Sequence, residues 1–171
     1  MRRLSCLVLI VVCLAALCFS CSKGEKGAAS TENSAAPSFV LADLNNNKVS
    51  LDTYKGKVVM LEFFASWCPP CQMSAPDVKS VYEKYRGRGF VVLAVSLDGG
   101  AEAKAAVTSF VKEFGLTYPA LMDDGKTSKQ YGVISIPTSF IIDRKGKIRN
   151  KHIGLIPDFS NALSKEIEAL L

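Results

Sequence analysis

An α/β domain built on a mixed sheet is the fold class this chain predicts, and three observations carry it. Val58 to Phe64 is apolar on both faces, as a central strand covered on both sides is. It runs into Trp67-Cys68-Pro69-Pro70-Cys71, where Pro-Pro fits a first helical turn, because missing N–H donors cost nothing there and the fixed φ suits a helix start. Near the C-terminus, Ser139 to Ile142 and Ile148 to Ile153 flank Asp143-Arg144-Lys145-Gly146, a hairpin signal.

The remaining elements follow in order. Phe39 to Leu41 and Lys48 to Leu51 flank Asn45-Asn46-Asn47, a turn in which Asn tolerates positive φ. After the cysteines, Val78, Val81, Tyr82 and Tyr85 recur at helical spacing until Gly87 and Gly89 break the pattern. Pro76 falls inside that helix and is expected to kink it. Phe90 to Leu97 reads as a second buried strand. Ala103, Val107, Phe110, Val111 and Phe114 form one stripe of a helix that Gly115 ends. Tyr118 to Met122 reads as a short strand and Thr127 to Tyr131 as a helical turn. Phe159, Leu163, Ile167 and Leu170 mark a final helix opened by Pro157-Asp158. Alternating strands and helices with a terminal hairpin give the mixed sheet.

The ends set the domain boundaries. Arg2 and Arg3 precede an uncharged run from Leu4 to Phe19, so residues 1–20 read as an export signal. That run is short for a spanning helix of about 20 residues. Ser20-Cys21 resembles the lipobox of bacterial lipoproteins, in which the cysteine is lipidated, although Cys18 and Phe19 depart from its usual residues. Residues 21–36 are polar or small and read as a flexible tether with a span of roughly 20 Å. Residues 37–171 then form a single domain. Losing residues 1–20 lowers the formal net charge from +5 to +3, an excess too mild to predict nucleic-acid binding or strong membrane attraction.

Four of the six cysteines (Cys6, Cys13, Cys18, Cys21) lie in or beside the export segment, leaving Cys68 and Cys71 for chemistry. A bridge closing so small a loop removes little chain entropy, so the pair is there to be oxidised and reduced, or to bind a metal. A thiol at a helix N-terminus sees unpaired N–H groups and the positive end of the helix dipole, which favour thiolate. Cys68, nearest the N-cap, is thus the better nucleophile. Glu62 places a carboxylate in the apolar strand, which is unfavourable unless it is paired or protonated. It reads as the proton acceptor for Cys71, or else as a glutamate turned to solvent or paired with Lys57. His152, the only histidine, reads as a solvated surface residue.

The ordered set Val49-Ser50-Leu51, Gly56-Lys57, Phe64-Ala65-Ser66-Trp67-Cys68-Pro69-Pro70-Cys71, Tyr131-Gly132-Val133 and Ile136-Pro137-Thr138-Ser139-Phe140-Ile141-Ile142-Asp143 resembles the thioredoxin-like fold over residues 37–171. More closely, it resembles the extracytoplasmic TlpA/ResA-like thiol-disulfide oxidoreductases. The N-terminal hairpin and the αβ insert around residues 101–122 fit that group. The resemblance implies that Cys68 attacks a substrate disulfide and that Cys71 resolves the mixed disulfide. It implies a cis Pro137 facing the cysteines, with the Ile136 backbone free to bond an extended substrate, and Trp67 covering the sulfurs. Glu62 stands where thioredoxins carry a buried acid. Ser74 stands where relatives often carry glutamate, which weighs against functions that depend on that acid.

The implied activity is reduction of protein disulfides, with no cofactor beyond the Cys68–Cys71 disulfide. Expected partners are exported proteins with disulfides, apocytochrome c among them, and a membrane electron donor; no nucleic acid is expected. The expected location is extracytoplasmic, in a bacterial periplasm or on the cell surface, held to the membrane by a lipid anchor. Two other classes compete: a copper-binding thioredoxin-fold chaperone, since two thiolates suit Cu(I), and a redoxin-type peroxidase.

Overall fold

In the computed structural model, residues 33–171 are described. The export segment, Cys21 and most of the expected tether lie outside the described residues. No helix among the described residues is long and apolar enough to cross a membrane. Seven strands form one sheet: β1 Val40–Asp43, β2 Lys48–Ser50, β3 Val58–Phe64, β4 Phe90–Ser96, β5 Ala120–Met122, β6 Thr138–Ile142 and β7 Ile148–Ile153. The helices are α1 Pro69–Tyr85, α2 Ala103–Glu113, the one-turn α3 Thr127–Gln130 and α4 Phe159–Leu170.

The strand order is β2-β1-β5-β4-β3-β6-β7. β3, β4 and β5 run parallel, while β1, β2, β6 and β7 pair antiparallel. All seven residues of β3 are buried. Their side chains alternate between two cores. Val58, Met60 and Phe64 face α1 and α4, whereas Val59, Leu61 and Phe63 pack with Phe39, Leu93, Tyr131 and Phe140. This two-sided burial is what a run apolar on both faces, broken only by Glu62, predicts.

The turns have local causes. Asn46 takes φ +66° while the Asp43 carboxylate accepts from the N–H groups of Asn45 and Asn47, both at 2.8 Å. Asp143 repeats the device, accepting from the N–H groups of Lys145 and Lys147, with Gly146 at φ +76°. Leu51, expected as strand, instead opens a 3-10 turn over Leu51–Tyr54, because the Ser50 hydroxyl caps it by accepting from the Asp52 N–H.

Residues 33–36, expected as the end of the tether, are bound to the domain. Asn33, Ala36 and the bridge from Ala35 to Lys147 tie this stretch to the β6–β7 hairpin, with the Asn33 N–H donating to the Ile148 carbonyl at 2.7 Å and that of Ala36 to the Gly146 carbonyl at 2.9 Å. Composition misleads here because backbone groups, which every residue carries, make these bonds.

Candidate active site

The site forms where β3 ends and α1 begins. Cys68 is the N-cap of α1, with Pro69 and Pro70 at its first two positions. The Cys71 N–H points at the Cys68 sulfur, 3.3 Å away; with Pro69 and Pro70 carrying no N–H, it is the donor of the first turn that faces this sulfur, which the helix dipole favours as thiolate once reduced. The two cysteines form a disulfide, with Cα atoms 5.3 Å apart. Both are nearly covered, at 3% and 2% exposure.

The turn before Cys68 is clamped from the next strand. Asp98, just past β4, accepts from the Ser66 N–H at 2.8 Å and from the Ser66 and Ser96 hydroxyls at 2.5 and 2.7 Å. The Gln72 amide donates to the Ser66 carbonyl at 2.8 Å. Sequence reasoning missed Asp98, yet a signal existed: in open parallel sheets, sites gather at the carboxyl ends of strands, where Ser66 and Asp98 both lie.

Across the cleft, the Ile136–Pro137 peptide is cis. The Ile136 carbonyl oxygen lies 3.9 Å from the Cys68 sulfur, so these three expected residues meet. Trp67, directly before Cys68, stands 67% exposed, a large apolar side chain offered to solvent at the rim of the site.

Glu62 shares the α1-facing side of β3 with Met60 and Phe64. With Cys71, Phe64, Phe110 and Tyr118 it lines a narrow gap beneath the disulfide. On its other side it lines a cavity of about 340 Å³ with Met73, Ser74, Pro137, Ser139 and Phe159. The residue is 6% exposed, and burial pushes its pKa up to about 7. Its pairing with Lys57 does not occur, since Lys57 precedes the opposite end of β3. Tyr118, unrecognised in the sequence, is pushed upward by burial and then by the nearby Glu62 carboxyl.

His152 is half-buried and not a free surface residue. Its Nε2 lies 2.9 Å from a Glu166 carboxylate oxygen, and its ring meets Phe159 edge-on. Packing of α4 over β7 covers it. The arrangement as a whole can hold one sulfur as thiolate, keep a second behind it, and offer a carboxyl within the same pocket.

A profile of the AhpC/TSA family matches residues 33–151. A thiol-disulfide oxidoreductase ResA from Bacillus thuringiensis subsp. konkukian is 42% identical over 114 residues, which cover 66% of this chain but only 64% of that relative's length. ResA from Geobacillus thermodenitrificans is 37% identical over 146 residues, covering 83% of this chain and 82% of the relative. Among solved structures, one from Chlorobium tepidum described as a thiol:disulfide interchange protein DsbE superposes with a TM-score of 0.75 at 36% identity, covering 81% of this chain and 96% of that one. With the thioredoxin-like sheet and a Cys-x-x-Cys pair at its helix start already in place, the chain belongs to the AhpC/TSA family, among the relatives of the ResA thiol-disulfide oxidoreductases.

Proposed function

We propose that this protein is an extracytoplasmic thiol-disulfide oxidoreductase that reduces disulfides in exported proteins. The observation that carries the reading is the Cys68–Cys71 pair at the α1 N-cap, facing the Ile136 carbonyl at 3.9 Å. Cys68 as thiolate attacks one sulfur of a substrate disulfide and the other substrate sulfur leaves as thiolate. Cys71 then gives its proton to Glu62 and attacks Cys68, releasing the second substrate thiolate and closing the disulfide. Two electrons pass to substrate, and a thiol donor at the membrane must return them.

A protein substrate suits the surroundings. Trp67, Met73, Ile134 and Leu155 are large apolar side chains left exposed at this edge, the character of a contact surface. The Ile136 backbone and Pro137 present the edge to an extended segment. Apocytochrome c is one candidate, and cytochrome c maturation the corresponding process. Cys21 is the proposed lipidation site that would hold the domain at the bilayer.

The test is turnover on a protein disulfide together with the equilibrium reduction potential of the pair. Wild type should reduce substrate, Cys68→Ser should be inactive, and Cys71→Ser should accumulate a mixed disulfide through Cys68. A potential near that of thioredoxin, about −270 mV, fits a reductant, whereas one near about −120 mV would make the protein a disulfide donor.

A further inference from the structure

The sheet has two ends of opposite character. The disulfide follows the last residue of β3, and β6 begins beside it, with Phe63 paired to Thr138. At the other end, Val58 pairs with Phe90 and Val59 with Ile142. The tracts 55–57, 86–89 and 144–147 are therefore neighbours at the end farthest from the cysteines. The Gly56 N–H donates to the Arg144 carbonyl and the Val58 N–H to the Gly89 carbonyl, both at 3.0 Å. These tracts read Lys-Gly-Lys, Arg-Gly-Arg-Gly and Arg-Lys-Gly-Lys. Seven of the chain's 21 lysines and arginines gather there, without one acid inside the tracts, and all seven are exposed.

Three of the acids bordering this edge are engaged, while Glu83, exposed in the last turn of α1, has no ion pair or hydrogen bond among the described residues. Asp52 pairs with Lys55 at 2.8 Å. Asp143 is buried against Arg149 and backbone N–H groups. Glu168 accepts from the Tyr85 hydroxyl and lies 3.9 Å from Lys84. Arg144 also donates to the Leu171 carbonyl. Of the seven, Lys57, Arg86, Lys145 and Lys147 have side chains with no ion pair or hydrogen bond among the described residues, and Arg88 meets only the Tyr85 ring. The opposite end carries Asp98, Asp123, Asp124 and Asp158 in its turns, with Lys126.

The N-terminal segment joins at the basic end, since Asn33, the first described residue, bonds to Ile148 and accepts from the Arg149 guanidinium at 2.5 Å. We infer that this end of the sheet is a docking surface for an anionic phospholipid bilayer. Cations near such a surface each add attraction that decays within a Debye length. The bound molecule stands with β3 roughly upright, so the disulfide faces away from the lipid by about 20 Å, the length of a seven-residue strand.

The test uses the full chain and vesicles of phosphatidylcholine, alone or with about 30% phosphatidylglycerol. The N-terminal segment contributes equally in every variant, so the readout is the gain produced by the anionic lipid. That gain should fall about fivefold for Lys145→Gln alone and about 100-fold for Lys57→Gln/Arg86→Gln/Lys145→Gln, and vanish for wild type near ~0.5 M salt. Turnover on a protein disulfide should be unchanged in each variant, which checks folding. Trp67 is the only tryptophan, and its fluorescence in the bound state should escape quenching by brominated acyl chains. An anionic gain that survives the triple substitution overturns the proposal. So does quenching of Trp67, which would mean docking through the apolar rim. Displacement by inorganic phosphate at constant ionic strength would assign a free-phosphate site in place of a lipid surface, and equal binding to double-stranded DNA would make it a general polyanion surface.

Discussion

Glu62 shows how one buried group couples stability to chemistry. Its folded pKa of about 7 exceeds the ordinary 4.5, so between these values the native state keeps a proton that the unfolded chain has released. Stability therefore falls as pH rises through this window and levels off above it. The loss is about 3 kcal/mol, the free-energy equivalent of the shift. In Glu62→Gln that loss should disappear, which urea unfolding of the oxidised protein near pH 5 and near pH 8 will read directly. The same variant should resolve mixed disulfides slowly while Cys68 alkylation stays fast; unchanged turnover would remove Glu62 from the proposed proton transfer. The anomaly was plain in the sequence, since one charged residue interrupts the six apolar residues of β3. That its carboxyl shares a gap with Cys71 and Tyr118 was not, because Tyr118 comes from a segment more than fifty residues away.

Among the elements, the β3–α1 junction depends on a residue outside both. Asp98→Ala removes the acceptor for the Ser66 N–H and for two hydroxyls. The expected cost is about 2–4 kcal/mol in urea unfolding, because partly buried donors lose a charged acceptor, and turnover should fall as the Trp67-Cys68 turn loosens. Helix α4 offers a different test. Its buried side chains are Leu163 and Ile167, at 1% and 0% exposure, in the core that α1 also lines. Leu163→Ala should lower stability by about 2–5 kcal/mol, with the spread set by how far the site collapses. The periodicity of α4 was legible at Phe159, Leu163, Ile167 and Leu170. Its consequence for His152 was not, since the contact with Glu166 requires α4 to lie over β7.

For the whole molecule, anchoring and orientation are separate questions. If Cys21 carries the lipid, Cys21→Ala should shift the protein from the membrane to the soluble fraction after detergent-free lysis; full retention would point to an uncleaved apolar segment. Any residual retention should then be sensitive to salt, as the basic end requires. The formal net charge concealed this end. An excess of a few charges over 171 residues predicts little when averaged, whereas parallel pairing of β3 with β4 and antiparallel return of β6 bring three basic turns together.

Local rules determined much of this protein from sequence alone. Two-sided apolar runs specify central strands, Pro-Pro after Cys68 specifies a helix start, and Asn46 and Gly146 specify turns; each effect acts within a few residues. The dithiol was likewise legible, because its chemistry rests on two thiols at a helix N-cap. Strand order and register decided the rest. They alone bring Ile136 to Cys68, Asp98 to Ser66 and Tyr118 to Glu62, expose Trp67, and set the basic turns opposite the disulfide. Such contacts join residues far apart in the chain, and their energies depend on distances and burial that exist only once the sheet has formed.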